Sequence, residues 1–265
     1  MRGVNREWQR FTPEQRVIRS VFYVLAASAI IWSLKHIEFI PEFFYDAPEQ
    51  IRDFFVRMWP MDTAFYAKSV HAALIETLNI ATLGTVLSLL VALPVGMLSA
   101  HNLVPNTIIN YLAKLILVAS RSVNSLVWAL LFIAVFGPGA LAGTLAIACR
   151  SVGFVGKLFG EAIEEAVPGP IEALTAVGAQ PASVFIKGYW SQVKPAFWSI
   201  ALFRWDINVR ESAVLGLVGA GGIGMAMDSA MNLFRWDQVA IVLITIFVVV
   251  ILAELAVSAI RKKVI

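Results

Sequence analysis

The chain reads as an all-α membrane protein with about six transmembrane helices, and three observations carry that reading. Of its 265 residues 59% are hydrophobic and 15% charged, whereas a soluble domain carries about 25% charged residues. Mean hydropathy is +0.77. The apolar residues are gathered in blocks long enough to span a bilayer, which takes about 18 or more residues at a helical rise of about 1.5 Å against a core about 30 Å thick. The blocks lack the two-residue alternation of a membrane β-strand, and lipid leaves unpaired backbone groups no partner, so helices follow.

The first predicted span covers 17–34, its clean apolar core beginning at Val21. Ala26-Ala27-Ser28-Ala29 resembles a cleavage site, but the apolar run continues past it, so an uncleaved helix is expected. The second span covers 74–100, with a kink expected at Pro94. The third, 112–136, contains the charge of Arg121. After the turn Gly137-Pro138-Gly139 the fourth runs through Cys149 and Arg150 to about 159. The fifth covers 194–218 and the sixth 239–260, followed by Arg261-Lys262-Lys263.

Basic residues set the orientation. Arg2, Arg6, Arg10, Arg16 and Arg19 precede or open the first span, and a second basic cluster ends the chain. Six spans place both ends on one side, so both ends are expected in the cytoplasm. The turn after the third span has no lysine or arginine, as an outside loop should. The segment from Lys35 to Lys68, rich in acids and carrying Trp59, also suits the outside. A single cysteine, Cys149, excludes an internal disulfide, and His36, His71 and His101 are too scattered for a metal cluster. The basic balance, with a pI near 9.1, resides mostly at span ends, which argues against nucleic acid as a partner.

About thirty residues, 160–193, are left in the cytoplasm between the fourth and fifth spans. They read as short helices broken at Pro168-Gly169-Pro170 and Gly178, with Ile171, Leu174, Val177 and Val184 forming an apolar face suited to docking on a partner protein. Glu172-Ala173-Leu174 followed by Gly178 resembles the coupling loop of ABC importer permeases. Three further stretches are similar to the phosphonate-type permeases: residues 102–106, residues 125–130 and residues 156–162. So is the fifth-span stretch from Arg204 to Arg210 with the glycine-rich run 214–224. Trp190-Ser191 stand where that family usually has a Leu-Pro pair.

The resemblance implies a type I ABC importer permease fold, with Glu172, Ala173, Leu174 and Gly178 coupling to an ATPase. It implies a transmembrane subunit moving phosphonate or a related oxyanion such as phosphite across a bacterial inner membrane. The implied partners are a second copy of the chain, a dimer of ATP-binding subunits and a periplasmic substrate-binding protein. No cofactor is expected in this chain; ATP and magnesium would sit on the ATPase. In these terms 1–16 is a cytoplasmic segment, 17–37 the first helix, 38–68 a periplasmic loop and 69–265 the permease core. Rival readings are a permease for methionine or phosphate and an ion-coupled secondary transporter using Asp206 and Glu211. The latter class commonly shows two related halves, and no such repeat is visible.

The fifth span carries Arg204, Asp206, Arg210 and Glu211. A charge at mid-bilayer costs about 2.5–3.5 kcal/mol on insertion scales, and Arg204 lies about 15 Å along the helix from Lys194. Asp206 and Arg210, four apart with the acid first, are spaced for an ion pair. Arg204, Asn208 and Glu211 share another stripe. Two readings stand side by side: the charges pair internally and lock the bundle, or some of them line a watery path with Arg121 and Asn124 of the third span. Arginine suits a tetrahedral oxyanion because its planar fork bonds two oxygens at once.

Two motifs mislead. Gly219-Ala220-Gly221-Gly222-Ile223-Gly224 matches a dinucleotide fingerprint, which requires a preceding strand that this sequence does not offer. Gly219, Gly221, Gly222 and Gly224 are instead expected to allow close helix approach and a bend, as a gate or scaffold. Gly156-Lys157 resembles a phosphate-binding loop, but Ser151 and Leu158 stand where that motif needs glycine and a hydroxyl.

Overall fold

The computed structural model describes residue 11, residues 13–36 and residues 42–264. The chain divides into two units, Met1–Val56 and Arg57–Ile265. In the first, helix α1 (Pro13–His36) contains the expected span. Of the expected cytoplasmic segment 1–16, residues 1–10 and 12 lie outside the described residues, as do residues 37–41. Helix α2 (Glu42–Arg57) occupies the stretch expected as a loop. Phe43, Phe44, Ile51, Phe54 and Phe55 recur at helical spacing between charged residues, an amphipathic pattern that a count of acids and bases overlooks.

The second unit opens with α3 (Thr63–Phe65), a π-helical turn (Tyr66–Val70) and α4 (His71–Ser99), continuous as a 37-residue apolar segment. The second span thus starts about ten residues earlier than hydropathy suggested. Asp62 caps it: Oδ1 accepts from the Phe65 amide at 3.1 Å and Oδ2 from Gln238 Nε2 at 3.1 Å. The Gln238 bond first, then the Phe65 amide, holds this carboxyl below the usual aspartate range.

The third span is corrected. Helices α5 (Thr107–Ser122) and α6 (Ser125–Phe136) replace it, meeting at 88°. Val123 and Asn124 are extended, and the Asn124 side chain accepts from the Leu126 amide at 3.1 Å. An asparagine that caps a new helix competes with continuing the old one. The remainder runs α7 (Ala140–Glu164), α8 (Pro168–Ala176), α9 (Pro181–Ser183), a π-helical turn (Val184–Trp190), α10 (Ser191–Leu215), a 3-10 turn (Gly216–Val218), α11 (Ile223–Asn232) and α12 (Trp236–Val264). Among the described residues five helical segments are long and apolar enough to cross a membrane, or six if the bent α5–α6 pair is one span.

Helix α7 is the axis of the second unit, packing along α4, α5, α6 and α10. Small residues make this possible, as they do where membrane helices meet at close range. A β-carbon added at Gly96 of α4 would fall 2.8 Å from the Gly156 carbonyl oxygen of α7 and 2.9 Å from Phe159. Where the C-terminal ends of α4 and α7 meet, Asn102 Nδ2 donates to the Ile163 carbonyl at 2.7 Å and the His101 amide to Glu164 Oε1 at 3.0 Å. Phe159, Ile163, Tyr189, Val193 and Phe197 form an apolar cluster beside these bonds.

Gly96→Ala is therefore expected to lower stability by about 1–3 kcal/mol, the range for overpacking a tight contact. Thermal unfolding in detergent reads this directly; an unchanged melting temperature would show that α4 and α7 can separate without loss.

Candidate functional site

Near the middle of α10, Arg204 is 3% exposed and Asn208 0%. Both face α7. Arg204 Nε donates to Ser151 Oγ at 2.8 Å, Ser151 Oγ donates to Asn208 Oδ1 at 3.2 Å, and Asn208 Nδ2 donates to Thr85 Oγ1 of α4 at 2.8 Å. Thr85 in turn donates to the Ala81 carbonyl at 2.6 Å. The relay ties three helices together and satisfies buried polar atoms that lipid could not.

The other end of Arg204 meets an acid. Glu211 Oε2 lies 3.4 Å from Arg204 Nη2, while Glu211 Oε1 pairs with Arg150 Nη1. Arg150 also reaches Ser125 Oγ at 3.4 Å, and Ser125 donates to Asn124 Oδ1 at 3.2 Å. The break between α5 and α6 is thereby linked to the charges of α7 and α10. Phe154 stacks near Arg204, its ring 5.4 Å from the guanidinium carbon.

Beside this cluster is a cavity of about 360 Å³ lined by Val118, Arg121, Ser122, Arg150, Phe154 and Arg204. Three guanidinium groups line it, and Glu211 behind them supplies a single negative charge. Arg121 is exposed and makes no ion pair among the described residues. It also lines an adjoining cavity of about 270 Å³ with Lys114, Lys157, Glu161 and Glu164.

The sequence-predicted residues divide. Arg121 and Arg204 line the arginine cavity. Asn124 is exposed and caps α6, while Asn208 is sealed within the relay. Asp206 and Arg210 form the expected ion pair, but on the flank of α10 that faces α12, where Glu254 lies 3.9 Å from Arg210. Asp206 Oδ1 is buried with no hydrogen-bond partner among the described residues. Arg150, Ser151 and Thr85 were not singled out by sequence, because their partners on α10 lie 53 to 123 residues away. The signal that could have found Arg150 is its charge inside an apolar span.

The segment between α7 and α10 has a built geometry. Helix α8 starts on Pro168, and Gly178 stops it at φ +72°. The Ala179 amide donates to the Leu174 carbonyl and the Gly178 amide to that of Thr175, both at 3.0 Å. This is a Schellman closure, which favours glycine at its left-handed position. Glu172 and Ala173 are exposed. The apolar residues of the segment divide: Ile171 and Leu174 pack toward Gly188, and Val184 packs on the cluster around Phe159. Val177, 80% exposed, remains on the surface. The Gln192 side chain ties the start of α8 to the base of α10: it accepts from the Val167 amide at 3.0 Å and donates to the carbonyls of Val167 at 3.3 Å and Gly188 at 2.8 Å.

The glycine run closes the opposite end of α10. Gly219, Gly221 and Gly222 have φ of +92°, +87° and +76°. Gly139 donates to the Gly219 carbonyl at 2.9 Å, and the Ile223 amide is capped by Thr77 Oγ1 at 2.7 Å. A β-carbon at Gly224 would approach Gly216 Cα to 2.7 Å. No strand precedes this run among the described residues, and the first amide of α11 is already bonded.

Residues 92–265 match the family described as binding-protein-dependent transport system inner membrane component. The chain is similar to a phosphite transport system permease protein, PtxC, of Stutzerimonas stutzeri, at 39% identity over 77% of this chain and 74% of that protein. A putative phosphite transport system permease protein of the same organism, HtxC, is 35% identical over 91% of this chain and 83% of its own length. A phosphate-import permease protein, PhnE, of Mycolicibacterium smegmatis is 34% identical over 88% of this chain and 44% of that protein. Among solved structures, an inward-facing form of the MetNI methionine ABC transporter superposes with a TM-score of 0.69 at 22% identity, covering 77% of this chain and all of that one. The fold is that of ABC importer permeases, and the chain belongs to the family of binding-protein-dependent transport system inner-membrane components.

Proposed function

We propose that this permease subunit moves a phosphite, phosphonate or phosphate-class oxyanion inward across the cell membrane. The observation that carries the reading is the cavity where Arg121, Arg150 and Arg204 converge with one acid between them. Guanidinium forks bond two oxygens of a tetrahedral anion at once. The similarity to permeases named for phosphite and phosphate supports the same substrate class.

As a member of its family the chain works with an ATP-binding subunit and a substrate-binding protein. ATP hydrolysis would belong to the partner ATPase with its magnesium. Two copies of this chain would form the translocator, each presenting one α8 to an ATPase. Glu172 and Ala173 face outward there, and Gly178 closes the helix behind them. Gln192 fastens α8 to the base of α10, so a pull on α8 reaches Arg204 through one continuous helix. The glycine run from Gly219 to Gly224 is packed as a scaffold for the far end of α10. Both ends of the chain would lie in the cytoplasm, on the side of α8, as the basic Arg261 and Lys262 after the last span favour.

Transport is tested in proteoliposomes holding the permease, its ATPase and its binding protein. ATP-dependent uptake of labelled phosphite, methylphosphonate or phosphate is expected; uptake driven by a proton gradient in liposomes containing this chain alone would overturn the reading. Arg121→Ala is expected to lower uptake at least about tenfold, the scale of a lost hydrogen bond to a charged group, with assembly intact. Normal uptake in that variant would remove Arg121 from the path. Glu172→Arg and Gly178→Val are each expected to reduce ATPase co-purification, the first by charge reversal on the docking face and the second by strain at φ +72°. Full retention of the ATPase in both would move the docking surface elsewhere.

A further inference from the structure

Glu211 is the acid that stands between Arg150 and Arg204, yet it is not among the residues lining the arginine cavity. Its two oxygens are divided between the two guanidiniums, Oε1 toward Arg150 and Oε2 toward Arg204. Arg204 is further held by Ser151, and Arg150 by Ser125, so both forks are fixed from behind while their remaining nitrogens are left for the cavity. Arg121, on the α5 wall, makes no ion pair among the described residues.

This arrangement has a consequence for any anion that must pass rather than stay. Three guanidiniums around a phosphate-class dianion, with no acid to oppose them, would bind too firmly for turnover. A carboxylate bonded to two of them lowers the local positive charge and offers both arginines an alternative partner when the cavity empties. It also keeps them aimed at one point while empty, since a lost anion is replaced by Glu211 rather than by rearrangement of the helices.

We propose that Glu211 is a positioning residue and an internal counter-anion. It holds Arg150 and Arg204 toward the cavity and competes with the passing oxyanion for them, and so sets how quickly the path lets its substrate go. The inference rests on the oxyanion reading of the cavity and adds Glu211 to the residues that act there.

The test uses the full transporter with ATPase and binding protein, in nanodiscs for retention and in proteoliposomes for uptake, with labelled inorganic phosphate as probe. Glu211→Gln keeps the size and hydrogen-bonding reach of the side chain but removes its charge. Phosphate retained on the complex after rapid filtration is expected to rise at least about tenfold, the equivalent of one charge-assisted bond. Maximal uptake is expected to fall, with the probe concentration for half-maximal uptake not raised. A purely structural ion pair would instead lower assembly and leave retention per assembled complex unchanged, which would overturn the proposal. Should Glu211→Gln not assemble, Glu211→Asp carries the test, since the shorter carboxylate keeps its charge but cannot span both arginines. Raised retention supports the proposal and wild-type retention with wild-type uptake overturns it. Phosphate uptake by the unaltered transporter with no effect of either variant overturns this inference alone. Absence of uptake of phosphate, phosphite and methylphosphonate by the unaltered transporter overturns the oxyanion reading and this inference with it.

Discussion

A guanidinium halfway along a membrane helix must find all its partners within the protein, because lipid supplies none and the charge does not leave arginine. Arg204 meets that requirement with Ser151 on α7 and Glu211 on its own helix, and the demand propagates. Ser151 has to face α10, so α7 presents its small and polar side to α10 and α4. Glu211 has to be balanced in turn, so Arg150 is drawn to the same place. Ser125 answers Arg150, and with it the start of α6 is located. The rotation of four helices about their axes is thus constrained by one buried charge and the chain of groups that satisfies it.

Close packing and polar satisfaction act together here. Hydrogen bonds between helices need backbones near enough for short side chains to meet, and glycine supplies the approach at Gly84, Gly96 and Gly156. In a bilayer there is little hydrophobic gain from pressing one apolar helix on another, so dispersion and hydrogen bonds must hold the bundle. The result is a closely packed group of α4, α5, α6, α7 and α10, with the arginine cavity between residues of α5, α7 and α10.

The segment between α7 and α10 obeys the same economy of connection. Helix α8 is short and could not hold a fixed direction alone, since isolated helices below about 12–15 residues are marginal. Its inward face on Gly188 and the two bonds between Gln192 and Val167 hold it against the base of α10. What is left exposed includes Glu172, Ala173 and the apolar Val177, a surface shaped by the burial of its neighbours.

Much of this was legible in the chain itself. Hydropathy located the membrane segments because the bilayer demands a run of apolar residues whatever the neighbours are. The Asp206–Arg210 pair was legible because helical spacing alone brings the two together, and Gly178 because a helix stop is a local event. The amphipathic α2 was missed where charge was counted without regard to its spacing. The right-angled break at Asn124, the inward turn of Leu174 and the meeting of Arg150 with Glu211 were settled only by tertiary packing. Each depends on how far a helix is rotated toward a partner remote in sequence, and no local pattern encodes that angle. The sequence by itself determined that charged residues lie within a membrane span; the packed helices decided which of them face each other and which face the cavity.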